Sequence, residues 1–218
     1  MKKFITLSIA FMLTAMAAAS AQTASEGRFS LAVYAGSGIL ISPSNLSAYG
    51  VNHRQEYKHG LSADIRAYYD FKDFGLVGLK CNEFIASANY LSDGATAVAE
   101  DVFLFYLAPQ LGDRRRLTDR LSLEYVFGIG YMYYQSESLA GSTERERTKG
   151  FLAANTDLSG YYRLKDTLSL GLSFSFVGGR TSSLKEKANG KKQNIELSDW
   201  NRIKVNRIDI SVSLHAIF

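Results

Sequence analysis

Three histidines, one cysteine and a recurring set of acids and bases are the groups in this sequence that could do chemistry. A hydrolytic centre needs a histidine within reach of a nucleophile or a carboxylate. His53 and His59 lie in a polar stretch with no serine or acid at a suggestive spacing, and no His-x-Ser run occurs. His215 alternates with Ser211 and Ser213 near the C-terminus, where a hydrogen-bonded interior histidine is the simpler expectation. Cys81 is alone, so it forms no internal disulfide and reads as a small apolar strand residue. There is no glycine-rich phosphate loop and no Cys/His pair at metal spacing, and no cofactor is expected. That leaves Asp64, Arg66, Glu124, Asp157, Arg163, Arg207 and Asp209. Each falls on the polar side of a segment whose other side is apolar, so their expected work is to pair in a polar interior.

The segments that must position these groups are β-strands. In Val205 to Phe218 the residues Phe218, Ala216, Leu214, Val212, Ile210 and Ile208 are all apolar, while the set between them is polar in all but Ile217. Side chains alternate across a strand, so this segment has one greasy face and one charged face. The same alternation marks Arg28–Ile41, Gly60–Phe71, Arg120–Tyr134, Phe151–Leu164 and Thr167–Val177. In Leu76–Ile85 the register is ambiguous, because Lys80 and Glu83 sit on opposite faces. Asp101–Gln110 is apolar on both faces, and its Pro109 suits a strand end. Gly112 to Asp119, with Arg114, Arg115 and Arg116, reads as a charged turn. The connections over 42–59, 86–100, 135–149 and 179–204 read as long loops, and those between them as short turns.

The chain opens with Lys2 and Lys3, an apolar run from Phe4 to Met16 and an Ala19-Ser20-Ala21 site, the pattern of a secretory leader over 1–21. Its removal lowers the formal net charge from +4 to +2, which gives no reason to expect nucleic acid as a partner. Residues 22–218 are then one domain, without any apolar run long enough for a membrane-spanning helix.

Eight strands joined by alternating long and short connections predict an all-β protein, an eight-stranded antiparallel up-and-down barrel. Apolar residues facing outward make it a transmembrane barrel, since a bilayer leaves no water for unpaired backbone and only a closed ring removes every edge. A secreted lipocalin-like barrel would turn the apolar face inward. The terminal aromatic, the loop asymmetry and the charges kept to one face favour the membrane form. Residues 22–218 thus resemble the small eight-stranded outer-membrane barrels, such as OmpX and the membrane part of OmpA. The resemblance implies a bacterial outer-membrane location, and it implies that Phe218, Leu214, Val212 and Ile210 form part of the signal read by the barrel-assembly machinery. Enzymes on that scaffold place a histidine with serine or acid at the outer rim, which is not seen here.

The expected function is therefore non-enzymatic, either structural or a binding and adhesion role carried by the loops. A narrow channel and a lipid-modifying enzyme are the alternatives. Lys185, Lys187, Lys191 and Lys192 crowd the last long connection against a single acid, Glu186, and could hold the phosphates of outer-membrane lipopolysaccharide. No particular extracellular ligand follows from the sequence.

Overall fold

The computed structural model describes residues 28–41, 58–71, 75–92, 96–197 and 202–218. The expected leader over 1–21, His53 with most of the first long connection, and residues 72–74 lie outside the described residues.

Ten strands account for nearly all of the described chain: β1 (Arg28–Leu40), β2 (His59–Phe71), β3 (Gly75–Ser92), β4 (Thr96–Arg116), β5 (Leu121–Ala140), β6 (Thr143–Lys165), β7 (Leu168–Thr181), β8 (Ser183–Ala188), β9 (Lys191–Glu196) and β10 (Ile203–Ile217). Eight of them, β1 to β7 and β10, pair in sequence, and β10 closes antiparallel onto β1 from Ser30↔Ile217 to Leu40↔Arg207. The seam is finished by Phe218, whose amide donates to the Phe29 carbonyl at 2.8 Å and whose ring lies 6.1 Å from that of Phe29.

The outer face decides which way the barrel is turned. Leu170, Leu172, Phe174 and Phe176 on β7 are exposed, as are Ile208, Ile210, Val212 and Leu214 on β10. On β5 the same holds for Tyr125, Phe127, Ile129 and Tyr131. So wide a belt of bare apolar side chains is a lipid-facing surface, not that of a soluble barrel. On β2 the faces fall as the alternation predicts, with Leu61, Ala63, Ile65, Ala67, Tyr69 and Phe71 outward and Ser62, Asp64, Arg66 and Tyr68 buried inside.

Several expectations are corrected. The described residues of the stretches 86–100 and 135–149, that is 86–92, 96–100 and all but the turn at 141–142, are not loops but continuations of β3, β4, β5 and β6 beyond the belt. β5 and β6 stay paired up to Ala140↔Thr143, around a two-residue turn. Gly141 has φ +57°, the conformation that the first turn position demands. The last long connection is largely a hairpin too: β8 lies along β6 above β7, β9 pairs with β8, and Asn189-Gly190 with φ 48° and 80° makes the tip. Pro109 sits inside β4 and not at its end, opposite Leu79. There the β4–β5 ladder is interrupted between Leu107↔Tyr131 and Gln110↔Gly128, which suits a residue lacking an N–H. Likewise β4 continues through the supposed turn at 112–116, and this carries Arg114 into the lumen.

Candidate functional site: the sealed lumen and the projecting sheet

An eight-stranded barrel is only wide enough for its own side chains, and here those side chains form two layers. The lower layer, towards the short turns, is polar. At its centre the Arg66 guanidinium meets Asp64 at 2.6 Å and Asp157 at 3.6 Å, while Lys80 Nζ lies 2.7 Å from Asp157 and 3.3 Å from Asp64. Two cations and two carboxylates from β2, β3 and β6 thus compensate one another. Gln110 and Asn155 each donate to the other Asp157 oxygen, at 2.8 and 2.7 Å, and Lys80 also donates to Ser175 at 2.8 Å. Below them Arg114 pairs with Glu124, which accepts a further bond from Tyr161 at 3.0 Å, and Tyr161 in turn touches Tyr34. Above them Arg207 pairs with Asp209 at 2.7 Å and donates to Asn82.

The network brings together Asp64, Arg66, Glu124, Asp157, Arg207 and Asp209 with Lys80 and Arg114. Arg163 departs from expectation: it is on the inward side of β6 but only half-buried, beside the irregularity between Arg163 and Lys165 where the strand turns. His215 is buried as expected but is not hydrogen-bonded. It stacks on Tyr161 with centroids 4.4 Å apart, and neither ring nitrogen meets a hydrogen-bond partner among the described residues.

The upper layer of the lumen is apolar, as it must be where Asp101–Gln110 carries apolar residues on both faces. Leu40, Phe84, Val102, Leu104, Tyr106, Met132, Tyr134, Val177, Ile203 and Val205 pack into one buried cluster across the bore. The Arg207 guanidinium lies 4.5 Å from the Phe84 ring centroid, where the two layers join. Apolar packing above and neutralised ion pairs below fill the bore with side chains.

Above the belt the extended strands form a sheet in the order β3-β4-β5-β6-β8-β9. It is fixed on its inner side. Arg147 on β6 meets Glu186 on β8 at 2.7 Å, Lys149 donates to Ser183 at 2.7 Å, and Glu100 accepts from Tyr90 at 2.9 Å and from Ser136. Burial opposes the charge of Glu186, but the hydrogen bond and charge of Arg147 prevail and hold its carboxyl below the usual range. The outer side is charged in sectors. One row crosses the strands as Ser87, Asp101, Glu137, Glu146, Lys187 and Lys192. A concave region of about 750 Å³ runs beside it, lined by Asp101, Glu137, Glu144 and Glu146 together with Arg145 and Lys187. Of the four lysines singled out by the sequence, Lys185, Lys187 and Lys192 share this outer side. Lys191 pairs with Ala188 and faces the other way.

No protein-family model matches the chain, and no curated protein matches it in sequence. Solved structures do resemble it. A major outer membrane protein from Thermus thermophilus superposes with a TM-score of 0.57 at 11% identity, covering 89% of this chain and 100% of that one. The outer membrane protein OprG from Pseudomonas aeruginosa gives 0.58 at 12% identity, covering 88% of this chain and 96% of that one. The lipid-facing belt, the closed ring and these likenesses agree: this chain has the fold of the small outer-membrane β-barrels.

Proposed function

We propose that this chain is a non-enzymatic outer-membrane barrel whose sealed body holds a stiff sheet outside the cell as a binding platform. The observation that carries this is the contrast between the two ends. One end has tight turns, such as the two residues between Lys165 and Leu168, together with the start of β1 and the end of β10. The other carries strands of about twenty residues that stay paired far beyond the belt. Outer-membrane barrels keep short turns inside and long connections outside, which puts the sheet at the cell surface. Surfaces held by a rigid scaffold are the usual seat of recognition.

Two features support the absence of catalysis and conduction. Among the described residues, His59 is exposed on the outer side of β2 and His215 is stacked on Tyr161, so neither has a nucleophile or acid to work with. The apolar cluster around Phe84 closes the bore. In planar bilayers the folded protein should give no unitary currents, and steady conductance would replace the platform with a channel. An epitope after Gly190 should stain on intact cells, and one between Asp166 and Thr167 only after the outer membrane is broken. The reverse pattern would invert the orientation.

A further inference from the structure

We propose that the outward side of the projecting sheet is a groove for a cationic polypeptide segment that carries an apolar side chain beside its basic ones. The inference rests on the reading of that sheet as a binding platform, and it names the partner. The groove starts from leucines where no lipid reaches. Beyond Ile85 on β3 the outward residues are Ser87, Asn89 and Leu91, and beyond Tyr133 on β5 they are Gln135, Glu137 and Leu139. Six residues along a tilted strand put Leu91 and Leu139 roughly 15 Å above the belt edge. The polar zone of a bilayer leaflet is only about 5–8 Å deep. Yet Leu91 is 60% exposed and Leu139 46%, and with Ala97 and Ala99 they line a concave region of about 500 Å³. Apolar side chains held bare in a hollow, clear of the lipid, mark a place where another molecule docks.

Charge identifies that molecule. The hollow at the tip runs into the 750 Å³ region, with which it shares Asn89, Ala99 and Leu139. There Asp101 stands directly opposite Glu137, and Glu137 directly opposite Glu146, while Glu144 stands opposite Leu139. Like charges opposite one another on a sheet repel. Among the described residues none of these four carboxylates forms a salt bridge; Asp101 accepts from Ser87 at 2.6 Å and Glu137 from Gln135 at 2.8 Å, both neutral donors. Of the cations that line the region, Lys187 lies at its far margin and Arg145 belongs to the inward set with buried Ser138. An incoming cation therefore meets acids that have no cation of their own. Spacing adds the apolar requirement. Leu139 is two residues from Glu137 on β5, and Ala99 two from Asp101 on β4, about 7 Å in each case. Residues i and i+2 of an extended chain are equally far apart and share a face, so a basic residue and an apolar one at that spacing fill both subsites together. A simple cation or a polyamine would use the acids alone.

The full chain in zwitterionic nanodiscs would be titrated with a fluorescein-labelled Lys-Ser-Leu-Ser-Lys peptide, with empty discs as the blank and anisotropy as the readout. Each exposed ion pair contributes up to roughly fivefold, so Asp101→Asn with Glu137→Gln should weaken binding by about fivefold to twentyfold. Leu91→Ser with Leu139→Ser should weaken it by roughly tenfold or more, since the apolar contact is lost. Only species that keep the heat-modifiable mobility of the folded barrel are compared. Equal binding by either variant, or equal binding of a peptide with serine in place of its leucine, would overturn the proposal. So would a parent that sediments as a dimer while the leucine variant does not, since the groove would then belong to a second copy. Glu144→Cys in a Cys81→Ser background, treated on whole cells with an impermeant maleimide, tests the orientation separately, because the discs expose both ends of the barrel. Labelling without selective peptide binding sinks the groove alone; absence of labelling sinks the platform outside the cell, and the groove's partner there with it.

Discussion

Replacing Lys80 by methionine tests the lumen most directly. The change keeps the length of the stem and removes one charge from a cluster of four. Lys80 loses its 2.7 Å contact to Asp157, the 3.3 Å contact to Asp64 and the 2.8 Å bond to Ser175, in a place with no access to water. Arg66 is then left alone against two buried carboxylates, a net charge of one. Removing one partner of a buried ion pair costs about 3–5 kcal/mol, because the survivor stays buried without compensation. Adding Asp157→Asn restores neutrality while keeping an acceptor, so the double variant should recover about 1.5–3 kcal/mol of the sum of the two single losses. Urea titration of the barrel in lipid vesicles, with the folded fraction read from unheated gel mobility, gives the midpoints. A Lys80→Met midpoint within about 0.5 kcal/mol of the parent, or a double variant no better than additive, would refute the account of a compensated network.

Leu170 faces lipid and Ser169 faces the lumen, so Leu170→Arg should cost about 2–4 kcal/mol if it lies near the midplane. The same vesicle titration measures it. Deleting Phe218 removes its bond to Phe29 and the ring contact across the seam. Secretion should continue while the yield of heat-modifiable barrel falls, as quantified by fractionation and unheated gels. Glu186 is held below the ordinary carboxylate range, so its contribution to docking β8 on β6 is present above that range and is lost as pH falls through its folded value. Protection of the β8 amides, corrected for the intrinsic pH dependence of exchange, should therefore fall at acid pH in the parent, and Glu186→Gln should be less protected throughout without that pH step.

What could be read in the sequence was whatever lipid enforces. Inside the belt every second residue must be apolar, so the faces of β2, β7 and β10 follow from period alone. Above the belt both sides of a strand meet water or other polar groups, and a stretch such as Thr143–Lys149 has no period to detect. Its strand is made by pairing with Glu137, Ser138 and Leu139, which is tertiary. The upper lumen hides itself differently. Leu104 and Tyr106 point into the apolar cluster while Phe103 and Phe105 point out, so the segment looks apolar on both sides. Lys80 was obscured by Glu83, an acid on the outward side of the same strand. Arg114 was obscured by its neighbours, since three consecutive arginines look like a turn until the register puts the first one against Glu124.

The partnership of Lys80 with Asp157 has a consequence for assembly. Their strands, β3 and β6, lie on different walls with β4 and β5 between them, so the two groups meet across the bore and not along a ladder. An open, growing sheet cannot bring them together, however many of its strands are already hydrogen-bonded. Until β10 reaches β1, Asp157 lacks the two cations that meet it across the bore. The contacts of Asp157 with Lys80 and Arg66 arrive only with the last seam, whereas Asp64 with Arg66, Lys80 with Asp64 and Arg114 with Glu124 are neighbours on one strand or across one ladder. A ring closed with one strand too few, or with its shear slipped, would leave those charges facing the wrong wall. The bonds that cross the bore to Asp157 thus favour the ring closed in register over one that is open or slipped.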